Sequence, residues 1–171
     1  FEDDPYGRLR CRGEARPTIK SLAGDAPNVL YASSFSKILA PGVRVAWSVA
    51  APELIRAMVL LRQGEDLCTP VVTQALVAEY CRLGHLDRHL ERIIEHYRAK
   101  RDAMQQQLSA LVPREVARWH EPEGGFFFWL KLASHDSDEL FQRCLEQSVA
   151  FLPGSAFYPG ENEQVGEVQR G

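Results

Sequence analysis

The sequence has little that would support a disulfide-rich or membrane-bound protein. Its 4 cysteines lie far apart, form no C-x-x-C pair and suggest no disulfide framework in a chain of 171 residues. No apolar run is long enough to span a bilayer, and the first residues are acidic, unlike a secretion signal. The net charge of -3 provides no bulk attraction for nucleic acid. We therefore expect a cytoplasmic protein without a membrane segment.

Apolar patterning in the first half predicts alternating strands and helices. Short β-branched and aromatic runs at 29–32 and 43–50 are typical of strands. Pro52 opens a predicted helix at 53–62, with Gly64 just past its end. Thr69 is a candidate cap for a second helix at 71–82.

The second half begins with a long amphipathic helix at 86–111, in which apolar residues recur at helical spacing. After Pro113 the pattern changes to short strands and turns, which predicts a separate α+β lobe. We expect Ser137 or Asp138 to cap the one helix of this lobe. The predicted elements are strands at 116–119, 126–132 and 149–152, and a helix at 137–147.

A hydroxyl-rich turn ending in a lysine is the most informative segment. Ser34, Ser36 and Lys37 follow the predicted strand, and Arg44 comes seven positions after the lysine, across an Ala-Pro-Gly bend. A lysine amine can form a Schiff base with an aldehyde, while hydroxyls and a guanidinium can hold a phosphate. The segment therefore indicates a site for a phosphorylated aldehyde.

The acidic start of the chain supplies a second set of suitable groups. A carboxylate beside a pyridine nitrogen keeps that nitrogen protonated, and the ring then withdraws electrons from a reacting carbon. Asp3 and Asp4 would point to opposite faces of a strand, so only one of them can face such a ring. Tyr6 can donate a hydrogen bond to an oxygen on the ring.

Two other kinds of site compete with this interpretation. Ser34-x-x-Lys37 matches the S-x-x-K pattern of serine acylases, but the S-D-N and K-T-G strings that this class also needs are not in the sequence. Cys81, His85 and His89 are spaced four residues apart, as zinc ligands can be. Gly84 is predicted to interrupt the helix between them, so we expect no metal site.

Taken together, the motifs resemble class I/II aminotransferases of pyridoxal-phosphate fold type I. They occur in the family's order, and the similarity runs to about residue 160. Within the family they most resemble 2-aminoadipate and kynurenine aminotransferases and the aminotransferase-like modules of winged-helix regulators. The matching segments are 2–7, 34–37, Arg44, 122–126 and 153–157.

The resemblance implies pyridoxal 5'-phosphate as cofactor and transamination between an amino acid and a 2-oxo acid. It implies that Lys37 carries the Schiff base and moves a proton during the reaction, while Asp3 pairs with the pyridine nitrogen. It further implies that Tyr6 contacts the 3-oxygen of the ring. Ser34, Ser36 and Arg44 would hold the phosphate, and Asp4 would be structural.

The resemblance also predicts the organisation of the chain. We expect an α/β fold made of the C-terminal part of a fold type I large domain at 1–85, a linking helix at 86–112 and a small α+β domain at 113–160. An atypical tail at 161–171 contains Arg170, a poor candidate for gripping a substrate carboxylate.

We further expect the chain to be a fragment that lacks an N-terminal half, and that is inactive alone. The full-length protein is expected to be a homodimer. A regulator module that binds the cofactor without turnover stays open as the alternative. Contact with nucleic acid would then require a winged helix elsewhere in the protein.

Overall fold

The structure is a computed structural model that describes residues 1–158. These residues form two compact units. Unit 1 comprises Phe1–Arg101 and Glu123–Phe126, and unit 2 comprises Asp102–Pro122 and the described residues 127–158. The predicted tail at 161–171, with Arg170, lies outside the described residues.

Unit 1 contains a three-stranded sheet in the order β1-β2-β3. The strands are β1 at Glu2–Asp3, β2 at Tyr31–Ser34 and β3 at Ala46–Val49. β1 runs parallel to β2, whereas β3 runs antiparallel to it. Because two parallel strands end at the same edge of a sheet, the carboxyl ends of β1 and β2 lie together.

The helices of unit 1 pack around a small apolar core. Leu9, Ile38, Leu86 and Leu90 are its buried members, and Tyr6 and Phe126 are among the half-buried residues packed against them. The first helix begins where the Thr18 hydroxyl accepts a hydrogen bond from Ser21 N. The helices are α1 at Ile19–Ala23, α2 at Phe35–Ile38, α3 at Pro52–Glu65, α4 at Val71–Arg82 and α5 at His85–Leu111, which continues into unit 2.

Unit 2 contains a short antiparallel ladder and one amphipathic helix. The ladder pairs β4, Ala117–Trp119, with β5, Leu130–Leu132, and the helix is α6, Ser137–Glu146. Trp119 is buried, donates from Nε1 to Gln105 Oε1 over 3.0 Å and stacks 3.8 Å from the Arg114 guanidinium. A ring with a satisfied polar atom is thus the centre of this unit.

Several predicted strands differ from the observed ones: β2 at Tyr31–Ser34 is shifted from 29–32, and β3 at Ala46–Val49 is shorter than 43–50. The strand predicted at 126–132 is limited to β5, since Phe126 belongs to unit 1 and 127–129 lie outside the ladder. The segment 149–152 is not in a ladder in the described structure. β-propensity alone was a poor guide here, since a strand also needs a partner.

Helix ends also differ from the prediction. Gly64 lies inside α3, which runs on to Glu65, and Arg62 pairs with Asp66 at its end. α6 is capped by Asp136, which accepts from the amides of its first turn, and neither Ser137 nor Asp138 is the cap.

The Thr69 hydroxyl does not cap α4; it accepts from Arg62 Nη2 over 3.1 Å, and Pro70 occupies the cap position. Side-chain competition of this kind cannot be read from spacing.

Across residues 1–158, no helix combines the length and the apolar character needed to cross a bilayer.

Candidate functional site

The predicted site residues follow the ends of β1 and β2. Asp3 is the last residue of β1 and Ser34 is the last residue of β2. Asp3 is paired with Ala32, so its side chain points to the same face of the sheet as those of Ala32 and, two residues on, Ser34. The edge beyond the carboxyl ends of parallel strands is where α/β proteins bind ligands.

The single turn of α2 holds Lys37 at this edge. Ser34 Oγ accepts from Ser36 N over 3.3 Å and so caps the helix, and Ile38 is buried in the core of unit 1. With Ile38 buried, Lys37 is exposed, and its Nζ lies 5.9 Å from the centre of the Tyr6 ring. The structure therefore brings Lys37 and Tyr6 together although 31 positions separate them in the sequence (37 − 6 = 31).

Arg44 lies at the same edge, in a constrained backbone. Phe35 N donates to Val45 O over 3.0 Å, and β3 then begins at Ala46, opposite Ser34. Arg44 has φ 53° and ψ 36°, which is the left-handed region that side chains other than glycine rarely adopt. Its Nη1 donates to Pro41 O over 3.2 Å, and its side chain is otherwise exposed.

Asp3 and Asp4 have different environments, as the alternation of a strand requires. Asp4 Oδ2 accepts from the Tyr31 hydroxyl over 3.4 Å. Burial, together with the negative charge of Asp4, raises the pKa of Tyr31 above its usual value. Asp3 is exposed, and its carboxylate has no hydrogen bond or ion pair with any other residue of 1–158. Within the described residues, the Asp3 carboxylate is therefore unengaged, whereas that of Asp4 contacts Tyr31.

Three further residues shape this edge and were not identified from the sequence. The Ser33 hydroxyl, only 7% exposed as a residue, donates to Asp4 O over 2.8 Å and fixes the end of β1 against β2. Glu2 accepts from the amides of Ile19 and Lys20 at the start of α1. Phe126 packs edge-to-face on Tyr6. The hydroxyl-rich run at 33–36 was a signal for Ser33, while Glu2 and Phe126 lie in the matching segments 2–7 and 122–126 but were given no role.

A pocket of about 520 Å³ lies beside Tyr6, yet it does not include Lys37 or Asp3. Its lining contains Glu2 of β1 and Asp4, the residue just after β1, and these two flank Asp3 along the chain. We therefore do not identify this pocket with the predicted cofactor site.

In the part of the chain that the structure describes, no three His, Cys, Asp or Glu side chains come close enough to hold a metal ion.

Comparison with known proteins gives the same family as the motifs. The family model described as aminotransferase class I and II matches residues 3–164. The chain is 47% identical over 168 residues to a 2-aminoadipate transaminase of Thermus thermophilus, covering 94% of this chain and 42% of that protein. It is 40% identical over 158 residues to aromatic-amino-acid aminotransferase 1 of Thermococcus litoralis, covering 92% and 37%.

The fold is shared with solved structures. A kynurenine aminotransferase of Pyrococcus horikoshii, in complex with PMP, superposes with a TM-score of 0.86 at 42% identity, over 92% of this chain and 39% of that one. The predicted α/β fold of the fold type I aminotransferases is thereby confirmed.

A relative of another kind is an uncharacterized HTH-type transcriptional regulator, YdfD of Bacillus subtilis, at 31% identity over 92% of this chain and 32% of that protein. This chain spans about two fifths of the length of the aminotransferases that it matches. The motif-based resemblance is confirmed, and the chain belongs to the family of class I and II aminotransferases.

Proposed function

We propose that this chain is the lysine-bearing part of a pyridoxal-phosphate-dependent aminotransferase that moves an amino group between an amino acid and a 2-oxo acid. The observation that carries the proposal is that Lys37 Nζ lies 5.9 Å from the Tyr6 ring at the edge of the sheet where β1 ends at Asp3. These three residues provide an amine, a phenol and a carboxylate. Such a set suits the aldehyde, the ring oxygen and the ring nitrogen of this cofactor.

The available side chains fit the group. Within residues 1–158, the side chains of Asp3 and Lys37 form no hydrogen bond or ion pair, so both can serve a ligand. Ser34 and Ser36 offer hydroxyls in the turn before Lys37, and Arg44 offers a guanidinium at the same edge. Hydroxyls and a guanidinium are the usual donors to a phosphate dianion.

Pyridoxal phosphate, when bound, supplies an aldehyde that forms a Schiff base with an amine and a ring that withdraws electrons from the substrate's α-carbon. Lys37 supplies the amine. Its Nζ would act as the general base and then the general acid for the proton at the substrate's α-carbon. Asp3 would keep the ring nitrogen protonated, and Tyr6 would donate a hydrogen bond to the ring oxygen.

The full-length protein is proposed to act as a cytoplasmic homodimer. Family membership supports a transaminase in general, and the amino acid it uses stays open. The division into a large-domain remainder at 1–85, a linking helix at 86–112 and a small domain at 113–160 stays a prediction.

Reduction with borohydride tests the role of Lys37 directly. In the full-length protein loaded with pyridoxal phosphate, borohydride should abolish the visible absorption band and leave the mass of the reduced cofactor on the peptide containing Lys37. The Lys37→Ala variant should lack the band. Lys100, an exposed lysine of α5, is the matched control, and Lys100→Ala should keep the band. Label on another lysine would refute the assignment.

A regulator without turnover is the second candidate, because the chain is also similar to a protein named as an HTH-type regulator. Both candidates require Lys37, so the borohydride experiment cannot separate them. Single-turnover and steady-state measurements with a panel of amino acids and 2-oxo acids can. Formation of the amine form of the cofactor followed by repeated turnover supports the aminotransferase, and cofactor binding without product supports the regulator.

A further inference from the structure

Four residues of unit 1 are separated in sequence from the rest of that unit. Glu123–Phe126 belongs to unit 1, whereas the segments on both sides of it belong to unit 2. Cys11 N and Arg12 N donate to Glu123 O over 2.7 and 3.0 Å, and Gly125 N donates to Leu9 O over 2.9 Å. We name this backbone pairing of 9–12 with 123–125 the clasp.

The clasp depends on a close approach at Gly124. A Cβ at this position would lie 2.6 Å from Leu9 O and 2.9 Å from Arg10 Cα, both of which are backbone atoms that cannot turn aside. Glu123 adds an ion pair with Arg10 and a longer one with Arg16, at 3.7 Å. The clasp therefore fixes the position of the residue that follows it.

That residue is Phe126, which contacts the candidate site. Its ring lies 5.3 Å from the Tyr6 ring at 72°, in an edge-to-face arrangement, and 4.3 Å from the Tyr97 ring. The Tyr6 ring is also the one that lies 5.9 Å from Lys37 Nζ. Edge-to-face pairs favour one relative orientation, so Phe126 limits how the Tyr6 ring can turn.

We propose that Phe126, anchored by the clasp, is a positioning residue that holds Tyr6 in the orientation needed at the cofactor ring. This inference rests on the function proposed above, and it deepens it by adding a residue that acts through Tyr6. A hydrogen bond from a phenol stabilises negative charge on the ring oxygen, and the pH at which the visible band changes depends on that charge. If the Tyr6 ring can turn, its hydrogen bond to the ring oxygen weakens. The pH at which the visible band changes should then shift.

A double-mutant cycle on the full-length protein with bound pyridoxal phosphate tests the inference. The midpoint pH of the visible band is measured in the wild type, Tyr6→Phe, Phe126→Leu and the double variant. We expect Phe126→Leu to move the midpoint in the same direction as Tyr6→Phe, by at least about 0.3 pH unit, a twofold change in proton affinity. In the Tyr6→Phe background, Phe126→Leu should have no further effect.

Matched variants separate this effect from general loosening. Phe141→Leu removes one ring of another edge-to-face pair, with Phe151 at 5.5 Å in unit 2, and should leave the midpoint unchanged. Phe126→Tyr keeps the ring and should also leave it unchanged. Gly124→Ala leaves Phe126 intact but disturbs the clasp, and should reproduce the shift. Gly64→Ala, where an added Cβ meets nothing within 4 Å, is its control.

The outcomes also separate this inference from the proposed function. A wild-type band whose midpoint moves in Tyr6→Phe but not in Phe126→Leu overturns the positioning role alone. The positioning role is also overturned if Phe126→Leu shifts the midpoint pH equally in the wild type and in the Tyr6→Phe background. A full-length protein that forms no band with the cofactor contradicts the proposed function, and the inference falls with it. If Phe126→Leu does not fold, Gly124→Ala decides by the same criterion.

Discussion

At the scale of residues, two adjacent aspartates have different environments. Asp3 is exposed without a partner among the described residues, and Asp4 is engaged with Tyr31 on the opposite face of β1. The sequence predicted that only one of them could face a ring, because strand geometry fixes alternation. It could not predict the Tyr31 contact, which depends on the register between β1 and β2.

Exchange of each aspartate for asparagine should have different effects. In the full-length protein, Asp3→Asn should lower the transamination rate about 100-fold or more, since the charge that stabilises the reacting ring is lost. It should leave the pKa of Tyr31 as it is. Asp4→Asn should lower the pKa of Tyr31 part of the way to its usual value, because the negative charge disappears and the burial does not.

An absorbance titration of the tyrosinate band, compared between each variant and the same variant carrying Tyr31→Phe, measures the second effect. Steady-state kinetics measure the first. The assignment would be reversed if Asp4→Asn abolished turnover and Asp3→Asn changed the titration of Tyr31.

Site residues were predictable from the sequence where chemistry is local and missed where it depends on distant contacts. Ser34, Ser36 and Lys37 are within one turn, so their hydroxyls and amine could be grouped before the fold was known. Phe126 lies 120 positions from Tyr6 (126 − 6 = 120), and no spacing rule joins them.

At the scale of elements, long periodic segments were predicted well and short ones poorly. α5 begins one residue before the predicted start and ends where predicted. α1 and α2, of 5 and 4 residues, were not predicted, because a single helical turn has no measurable periodicity. They form because Thr18 and Ser34 cap them and, for α2, because Ile38 is buried.

The stability that the clasp contributes should depend on pH, because Glu123 forms ion pairs in it. The hydrogen bond from Arg10, and then the charges of Arg10 and Arg16, hold the pKa of Glu123 below its usual value of 4.5. A depressed carboxyl pKa contributes stability that is present above pH 4.5 and is lost as the pH falls through the folded-state value. Glu123→Gln should therefore lower the melting temperature at pH 7 by more than it does at pH 3.

Thermal melts of the wild type and Glu123→Gln at the two pH values measure this difference. Glu139→Gln removes an exposed ion pair with Arg143 on α6, and we expect it to change the melting temperature little at either pH. An equal gap between wild type and Glu123→Gln at both pH values would mean that the ion pair adds nothing to the clasp.

At the scale of the whole molecule, the candidate site is open to water in the described structure. Asp3, Lys37 and Arg44 are all exposed. Charged contacts that remain in water contribute about 1 kcal/mol or less each. The 171-residue chain should therefore bind pyridoxal phosphate at least about tenfold more weakly than the full-length protein, a difference of about 1.4 kcal/mol.

Titration of the cofactor into both proteins, followed by the visible band, gives the two dissociation constants. Equal constants would show that residues 1–171 alone form the whole site. The Lys37→Ala variant of each protein is the control. Its loss of the band shows that the titration follows binding at the proposed lysine.

The left-handed backbone at Arg44 lowers the thermal stability of the protein relative to glycine at that position. A side chain at φ 53° costs about 1 kcal/mol relative to glycine, so Arg44→Gly should raise the melting point while removing the guanidinium. Arg44→Ala removes the same group without that gain. Directed evolution scored on thermal tolerance alone would thus favour a more stable protein that has lost the guanidinium proposed to bind the phosphate of the cofactor.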